Sequence, residues 1–291
     1  MRACTIDGVP RRAEEATISV MDHGLLYGDG VFEGLRFYAH RSFRVDQHLD
    51  RLRDSAIAIG LELPMSKADM KQAIERTIKA SGLSDGYIRL VVTRGEGSLG
   101  LDPASCTQAR TIIIADELAM VSPESRQRGV NVIIASTRRL NADQLDPRVK
   151  TLNYLNQISA KQEASAAGAD EAILLNQAGR VAEGTADNIF IVKNSHLLTP
   201  PTSEGPLDGI TRSVIIEIAA GLGIVCEQAL LSVYDLYTAD ECFLTGTGAE
   251  LIPVASVAGR QLPPKRDIFR RLETAFAQLI HDNRIEPAID L

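Results

Sequence analysis

Apolar residues recur along the chain with two different spacings, and these spacings predict a mixture of strands and helices. Short apolar or alternating segments are typical of strands, and they occupy residues 17–20, 31–38, 87–93, 111–114, 130–136, 171–175, 181–184, 188–192, 196–199, 241–244 and 251–254. A spacing near 3.6 residues predicts amphipathic helices, and it occupies residues 46–60, 66–80, 155–168, 214–223 and 267–281. The sequence Asp7-Gly8 predicts a tight hairpin, and Asn153 is the expected cap of the third helix.

The order of these elements predicts an α+β protein with two domains. A smaller N-terminal α+β domain is expected over residues 1–117, and a larger C-terminal domain is expected over residues 129–291. Residues 118–128 have no clear hydrophobic period and contain Ser122-Pro123-Glu124-Ser125, which predicts an interdomain linker. Short turns join the strand segments between residues 171 and 199, and they predict an antiparallel meander.

Composition and charge argue against several classes of protein. The chain is 45% hydrophobic, but no apolar run approaches the length of a membrane span and no signal peptide begins it, so we expect a cytoplasmic protein. The formal charge of −7 and the lack of a sustained basic run argue against a nucleic-acid partner. Four scattered cysteines predict reduced thiols rather than a disulfide framework or a metal site. The glycine-rich residues 94–103 follow a strand without opening a helix, which argues against a dinucleotide-binding loop.

The segment around Lys150 is the first candidate for chemistry. The chain has 7 lysines and 24 arginines, and Lys150 lies in an otherwise uncharged segment just before a predicted helix. If a helical turn begins near Lys150, Tyr154 lies four residues later on the same face. This pair suits imine chemistry, because a tyrosine hydroxyl can bond to an oxygen next to a lysine imine. A helix-start lysine beside a core tyrosine is the alternative interpretation.

The predicted strand over residues 31–38 has one face that suits a ligand better than a core. Phe32, Gly34 and Arg36 share that face, since successive side chains of a strand alternate. The glycine leaves room beside the aromatic ring, and the arginine offers a fork for a carboxylate. Tyr87 and Arg89 form a second aromatic and arginine pair on the next predicted strand. A partly exposed sheet face with a surface arginine is the alternative.

Three further features indicate places for an anion or a buried charge. Arg51 projects from its helix and could reach an anion, unless it is simply solvated. The helix start at Gly209-Ile210-Thr211-Arg212 and the polar loop over residues 245–250 can present backbone N–H groups to a phosphate. Glu183 lies where an apolar strand meets a glycine, and a buried carboxylate there needs a proton-bearing partner or a structural ion pair.

Taken together, these stretches resemble the class IV, or fold type IV, pyridoxal-phosphate aminotransferases, most closely the branched-chain amino-acid aminotransferases. The resemblance spans nearly the whole chain, and six motifs occur in the family's order. They are Tyr27-Gly28 with Phe32-Glu33-Gly34-Leu35-Arg36, His48-Leu49-Asp50-Arg51-Leu52, residues 150–156, residues 183–190, Gly209-Ile210-Thr211-Arg212 and Gly246-Thr247. The resemblance implies a two-domain, D-amino-acid aminotransferase-like architecture with the cofactor in the interdomain cleft, and it implies a homodimer.

The resemblance also implies roles for individual residues. Lys150 would form an imine with pyridoxal phosphate and carry a proton between the substrate α-carbon and the cofactor. Glu183 would pair with the protonated pyridine nitrogen, and Tyr154 would bond the phenolic oxygen. The phosphate would be held by Arg51, Ile210, Thr211 and Thr247. The substrate would contact Tyr27, Phe32, Gly34, Arg36, Tyr87, Arg89, Thr247 and Gly248.

The activity implied by the resemblance is transfer of an amino group between a branched-chain L-amino acid and 2-oxoglutarate by a ping-pong route. D-amino-acid aminotransferases and aminodeoxychorismate lyase share the fold and are the alternatives. Phe32-Glu33-Gly34-Leu35-Arg36 and Tyr87-Ile88-Arg89 favour the branched-chain type. Tyr27-Gly28-Asp29-Gly30 has the form common in the alternative relatives, and Gly248 stands where the branched-chain enzymes usually have alanine.

Overall fold

The structure of the protein is a computed structural model, and it describes residues 3–118 and 122–285. Over these residues the chain divides into two compact units. The first contains residues 3–118, Val149–Asn153 and residues 280–285, and the second contains residues 122–148 and 154–279. The segment that carries Lys150 therefore belongs to the first unit, although the second unit supplies the chain on both sides of it.

The first unit is built on a six-stranded sheet in the order β2-β1-β6-β5-β3-β4, in which every pairing is antiparallel. Its strands are β1 (Ala3–Ile6), β2 (Val9–Arg12), β3 (Gly30–Tyr38), β4 (Arg41–Ser42), β5 (Gly86–Thr93) and β6 (Arg110–Asp116). Its helices are α1 (His23–Tyr27), α2 (Val45–Ala58) and α3 (Lys67–Ser81). The predictions of β3, β5, α2 and α3 are confirmed.

One face of this sheet is buried against helices, which leaves the other face for the site. Val31, Leu35 and Phe37 of β3 are fully buried in a core that also contains Leu52 of α2 and Ile74 of α3. Each such side chain contributes about 1.5–3 kcal/mol when it leaves water. Because side chains alternate along a strand, the intervening residues of β3 mostly point to the opposite face.

Near the N-terminus, the hairpin predicted from turn residues formed, whereas the strand predicted from alternating apolar residues did not. The hairpin prediction is confirmed, since Asp7 and Gly8 join β1 to β2 with φ angles of 50° and 77°, as a tight hairpin turn requires. The predicted strand at residues 17–20 is wrong, because this segment pairs with none of the described strands. Ile18 and Val20 are instead 39% and 74% exposed.

From residue 122 onward the chain builds a nine-stranded sheet in the order β12-β11-β10-β13-β14-β7-β8-β9, with β15 paired to β14. The strands are β7 (Val130–Arg138), β8 (Glu171–Leu175), β9 (Val181–Glu183), β10 (Asn188–Lys193), β11 (His196–Thr199), β12 (Cys226–Gln228), β13 (Glu241–Gly246), β14 (Glu250–Val257) and β15 (Arg260–Gln261). The helices are α4 (Pro123–Arg128), α5 (Ala142–Leu145), α6 (Leu155–Ala166), α7 (Ile210–Gly221), α8 (Val233–Tyr237) and α9 (Asp267–Ile285).

The antiparallel meander predicted between residues 171 and 199 is wrong. Its two hairpins, β8–β9 and β10–β11, form as expected, but β13, β14 and β7 lie between them in the sheet. β7 pairs in parallel with both β8 and β14. Parallel neighbours are joined by long crossovers, which short-range turn signals do not reveal.

The predicted domain boundaries remain a prediction, and part of the predicted linker falls outside the described residues. Residues 119–121 of that linker lie there, while its last six residues form α4. At the C-terminal end, residues 286–291 of the predicted larger domain are also outside. Within the described ranges, the structure contains no helix that is both long and apolar enough to span a membrane.

The start of α6 differs from the prediction. Tyr154, not Asn153, is the N-terminal cap of this helix, and the side chain of Asn153 donates to the carbonyl of Gly28 at 3.0 Å. The residues before it belong to no helix, and Thr151 forms an isolated β-bridge with Val31. The argument that put Lys150 and Tyr154 one helical turn apart is therefore wrong, because no helical turn exists between them.

Candidate active site

Lys150 is held in an irregular segment beside β3. The N–H of Phe32 donates to its carbonyl at 2.9 Å, and its own N–H donates to the hydroxyl of Ser55 at 3.1 Å. The Nζ atom lies 4.5 Å from the centroid of the Phe32 ring. Backbone contacts on both sides thus fix the amine against the predicted ligand face of β3.

The structure brings the predicted substrate residues of the two strands together on one face of the first sheet. In the pairing of β3 with β5, Gly34 lies opposite Arg89 and Arg36 lies opposite Tyr87. The Arg89 guanidinium is 4.6 Å from the centroid of the Phe32 ring and 5.6 Å from that of the Tyr87 ring. A Cβ atom at Gly34 would lie 1.8 Å from the Tyr87 hydroxyl oxygen, so any other residue there would have to displace the Tyr87 side chain. This face combines apolar rings with guanidinium groups.

Tyr27 lies apart from the contacts of that face. It ends α1 and packs edge-on against the ring of His23, with 5.0 Å between ring centroids. Its hydroxyl donates to the carbonyl of Leu99 in the loop between β5 and β6. A role for this residue at the substrate stays a prediction.

Arg51, predicted to hold an anion, belongs to a buried network that the sequence did not reveal. Its Nε donates to Oε1 of Glu33 at 2.7 Å and its Nη2 donates to Oε2 at 2.9 Å. His48 Nδ1 lies 2.7 Å from the same Oε2 atom. Glu33 is fully buried and His48 is 1% exposed. One feature of the sequence could have indicated this network, namely the acidic Glu33 among the apolar residues of β3 that face the core.

The electrostatics of this network follow from its burial. Burial alone would raise the pKa of Glu33, but the charge of Arg51 and the contact with His48 outweigh it and hold the pKa below its usual range. Burial lowers the pKa of His48, against the attraction of Glu33. Both lowered pKa values favour an ionised Glu33 beside an uncharged His48 at neutral pH.

In the second unit, Glu183 is a buried carboxylate with a charged partner. It is 5% exposed, its Oε1 lies 2.9 Å from Nη2 of Arg139, and its Oε2 accepts from the N–H of Leu207 at 2.9 Å. Arg139 Nε donates to the carbonyl of Gly205 at 3.1 Å. The sequence required a partner for Glu183, but among 24 arginines nothing identified Arg139.

The predicted phosphate seat is the N-terminus of α7. Gly209 is the N-cap and has no side chain to satisfy the N–H groups of the first turn, which begins at Ile210 and Thr211. These N–H groups and the positive end of the helix dipole suit an anion. Arg212 is 3% exposed, and its guanidinium is paired with Asp208 at 3.6 Å and donates to the carbonyl of Pro200 at 3.1 Å, so its charge is largely offset within the same turn.

The sequence did not reveal a buried hydroxyl near the N-terminus of α7. Thr245 is fully buried, and its Oγ1 has no hydrogen-bond partner within the described part of the chain. It lies opposite Asn188 in an antiparallel pair, so both side chains leave the sheet on the same side. Asn188 contacts the start of α7, since its Nδ2 donates to the carbonyl of Leu207 at 2.9 Å and a Cβ atom at Gly209 would lie 1.9 Å from its Oδ1.

The remaining predicted residues lie near the ends of their elements. Thr247 and Gly248 are half-buried in the turn between β13 and β14, two and three residues beyond Thr245. Tyr154 is half-buried at the start of α6, where its carbonyl accepts from the N–H of Ile158 at 3.0 Å. Their roles toward a ligand stay predictions.

The donor groups of each unit, taken separately, fit pyridoxal phosphate. In the first unit Lys150 offers a primary amine for an aldehyde, and Arg51 offers a cation for a phosphate. In the second, the carboxylate of Glu183 fits a protonated ring nitrogen, and the seat at α7 with the unpaired hydroxyl of Thr245 fits a phosphate. No cluster of three or more His, Cys, Asp or Glu that could hold a metal occurs among residues 3–118 and 122–285.

Comparison with known proteins gives a consistent result. Residues 30–257 match the model of the family described as amino-transferase class IV. A putative branched-chain-amino-acid aminotransferase of Methanocaldococcus jannaschii is 47% identical over 268 residues, which cover 91% of this chain and 92% of that relative.

Solved structures agree with the family match. The branched-chain amino acid aminotransferase of Escherichia coli superposes with a TM-score of 0.93 at 34% identity, covering 96% of this chain and 94% of that one. The pyridoxal-phosphate form of the branched-chain amino acid aminotransferase from Thermobaculum terrenum has a TM-score of 0.86 at 28% identity, covering 97% and 94%. The α+β, fold type IV class expected from the sequence is confirmed.

Replacing Arg139 with methionine is expected to lower the free energy of unfolding by about 3–5 kcal/mol, because breaking a buried ion pair removes the charge partner of Glu183. Arg138→Met, at the neighbouring exposed arginine, is the matched control and should change it by no more than about 0.5 kcal/mol. Urea unfolding of the two variants and the wild type measures the difference. Equal destabilisation by both substitutions would contradict a structural role for the Arg139–Glu183 pair.

Proposed function

The chain belongs to the class IV aminotransferases and is a pyridoxal-phosphate-dependent transaminase, and we propose that it transfers the amino group between a branched-chain L-amino acid and 2-oxoglutarate. The observation that carries this proposal is the face where aromatic rings and guanidinium groups lie beside the Lys150 amine. The branched-chain aminotransferases to which the chain is similar support the choice of substrate. In a ping-pong route, the first oxo acid leaves before the second one binds.

In this reaction Lys150 binds the cofactor covalently and later moves a proton at the substrate α-carbon through its Nζ atom. When bound, pyridoxal phosphate supplies the electron sink that makes this proton acidic. The contact of Nζ with the Phe32 ring keeps the amine on the substrate face. Glu183 would hold a proton at the ring nitrogen, and its Oε1 lies 2.9 Å from Nη2 of Arg139, which fixes the carboxylate. Tyr154 is proposed to donate to the phenolic oxygen of the cofactor.

The phosphate is proposed to bind four residues that present cationic, hydroxyl or backbone N–H donors. They are Arg51, Ile210, Thr211 and Thr247. The α7 N-terminus supports this assignment for Ile210 and Thr211, because the first-turn N–H groups have no side-chain cap from Gly209. The α-carboxylate of the substrate would bind the N–H groups of Thr247 and Gly248.

One pocket must accept both an apolar side chain and the distal carboxylate of glutamate, and the proposed substrate residues offer contacts for each. Phe32 is proposed to provide apolar surface, and the absence of a side chain at Gly34 makes room for the Tyr87 hydroxyl beside it. Arg36 and Arg89 offer guanidinium groups to a carboxylate, and Tyr87 adds a hydroxyl. The hydroxyl of Tyr27 completes the proposed set.

The proposed substrates are tested by half-reactions of the cofactor-loaded enzyme with single amino acids. L-leucine, L-isoleucine, L-valine and L-glutamate should convert the cofactor to its amine form and change its absorbance, whereas D-alanine and aminodeoxychorismate should not. Lys150→Ala should lower the rate by at least about 1,000-fold, since general acid–base catalysis alone contributes 10²–10⁴-fold. Lys67→Ala, at an exposed lysine paired with Asp50, is the matched control.

Two results would contradict the proposal. A fast reaction with D-alanine and none with L-leucine would assign the enzyme to the D-selective relatives. Release of an aromatic product from aminodeoxychorismate would assign it to the lyases.

We also propose a homodimer, and an exposed apolar surface supports it. Leu25 and Leu26 of α1 are 58% and 37% exposed, and Leu99 and Leu101 of the neighbouring loop are 70% and 79% exposed. The hydrogen bond from Tyr27 to the carbonyl of Leu99 joins α1 to this loop. Apolar surface of this kind marks sites where proteins associate, and a second copy of the chain is the expected partner.

Sedimentation analysis should give the wild type about twice the mass of the 31.5 kDa chain. The double substitution of Leu99 and Leu101 by aspartate should shift the mass toward the monomer, because it places charges on the apolar surface. Leu230→Asp, at a residue that is 52% exposed in the second unit, should leave the dimer intact. A fully active wild-type monomer would refute the proposed dimer.

A cytoplasmic location is proposed because the described cysteines are all free thiols, which suits a reducing compartment. Alkylation of freshly isolated protein under denaturing conditions should modify Cys4, Cys106, Cys226 and Cys242. A disulfide detected by mass spectrometry would argue for an oxidising compartment instead.

A further inference from the structure

The buried carboxylate of Glu33 lies outside the set of residues proposed above to contact cofactor or substrate. It is fully buried on the core side of the first unit, among apolar residues of β3. Burying a charge is costly, and replacing a buried ion pair with apolar residues is often neutral or stabilising. Stability of the fold is therefore a weak reason for a carboxylate at this position, and its contacts suggest another.

The contacts of Glu33 fix the orientation of the Arg51 guanidinium. Both carboxylate oxygens accept from Arg51, from Nε at 2.7 Å and from Nη2 at 2.9 Å. Two parallel hydrogen bonds define the plane of a guanidinium, whereas one bond would allow it to rotate. Arg51 is 12% exposed at its side chain, so the orientation is set inside the protein rather than by solvent.

Glu33 is itself held by two further groups. His48 Nδ1 lies 2.7 Å from Oε2, and the N–H of Gly34 donates to the same oxygen at 3.2 Å. The imidazole is fully buried and neutral, so it donates one N–H and adds no second cation next to Arg51. The carboxylate thus has other fixed partners and cannot turn away from the guanidinium.

The Lys150 segment is joined to β3 at the residue before Glu33, because the carbonyl of Lys150 accepts from the N–H of Phe32 at 2.9 Å. Lys150 and Arg51 are therefore two basic residues held by neighbouring residues of β3, Phe32 and Glu33. Their combined positive charge suits a phosphate dianion brought to Arg51 by a ligand that is bonded to Lys150.

We propose that Glu33 is a positioning residue that orients Arg51 toward the phosphate of pyridoxal phosphate, with His48 holding Glu33 in place. This inference rests on the proposed role of Arg51 in binding that phosphate. Glu33 would touch neither cofactor nor substrate, and it would act only through the guanidinium of Arg51.

The test compares the affinities of the apo-protein for pyridoxal phosphate and for pyridoxal, which lacks the phosphate. Glu33→Gln should weaken binding of pyridoxal phosphate about tenfold, which is the lower end of the loss caused by removing a residue that orients a metal ligand. Affinity for pyridoxal should stay unchanged. In an Arg51→Lys background, the same substitution should have no further effect on the ratio of the two affinities, because lysine cannot form the paired contact.

Asp29→Asn is the matched control, since Asp29 forms a bidentate pair with Arg94 in the same unit, at 2.6 Å and 2.9 Å. It should leave the ratio of the two affinities at the wild-type value. Glu33→Asp keeps the charge but shortens the reach, so it should also weaken pyridoxal phosphate selectively, and it serves if Glu33→Gln does not fold.

Two outcomes would overturn the proposal. An equal loss of affinity for both compounds would make Glu33 a support of the fold, and unchanged or tighter binding of pyridoxal phosphate would make it only a neutraliser of charge. Failure of the proposed function would look different. In that case the wild type itself would not react with branched-chain amino acids, whatever the ratio measured for Glu33→Gln.

Discussion

Backbone hydrogen bonds between β3 and the residues around Lys150 are the constraint on which the rest of the site depends. The N–H of Phe32 donates to the carbonyl of Lys150, and the N–H of Leu152 donates to the carbonyl of Gly30 at 3.0 Å. A shift of one residue in this pairing would turn the lysine side chain to the other side. Because one strand both holds the lysine and carries Phe32 and Gly34, the amine and the substrate face share a rigid support.

Each unit also buries one carboxylate against one arginine. Glu33 pairs with Arg51 in the first unit, and Glu183 pairs with Arg139 in the second. Such pairs contribute little net stability, but the hydrogen bonds hold each carboxylate in one orientation. The first unit holds the Lys150 amine and the face with Phe32 and Arg89, and the second holds a buried carboxylate and an uncapped helix N-terminus.

Local patterns in the sequence predicted local structure well. The alternation that put Phe32, Gly34 and Arg36 on one face was right because a strand fixes side-chain direction residue by residue. Pairings between distant strands, such as β7 with β14, leave no local signal, and the meander prediction failed for that reason. The predicted helical turn from Lys150 to Tyr154 failed because the backbone of Lys150 and Leu152 is hydrogen-bonded to β3 instead. The partner of a buried charge depends on the fold, so the sequence alone could not identify Arg139 as the partner of Glu183.

The most direct test of the central claim locates the covalent bond to the cofactor. Borohydride reduction of the protein with pyridoxal phosphate, followed by peptide mass spectrometry, should find the pyridoxyl phosphate group on Lys150. Modification of the other six lysines should be minor, since none of them is fixed against the Phe32 ring. A label found mainly on another lysine, or no label at all, would contradict the assignment of Lys150 as the reactive amine.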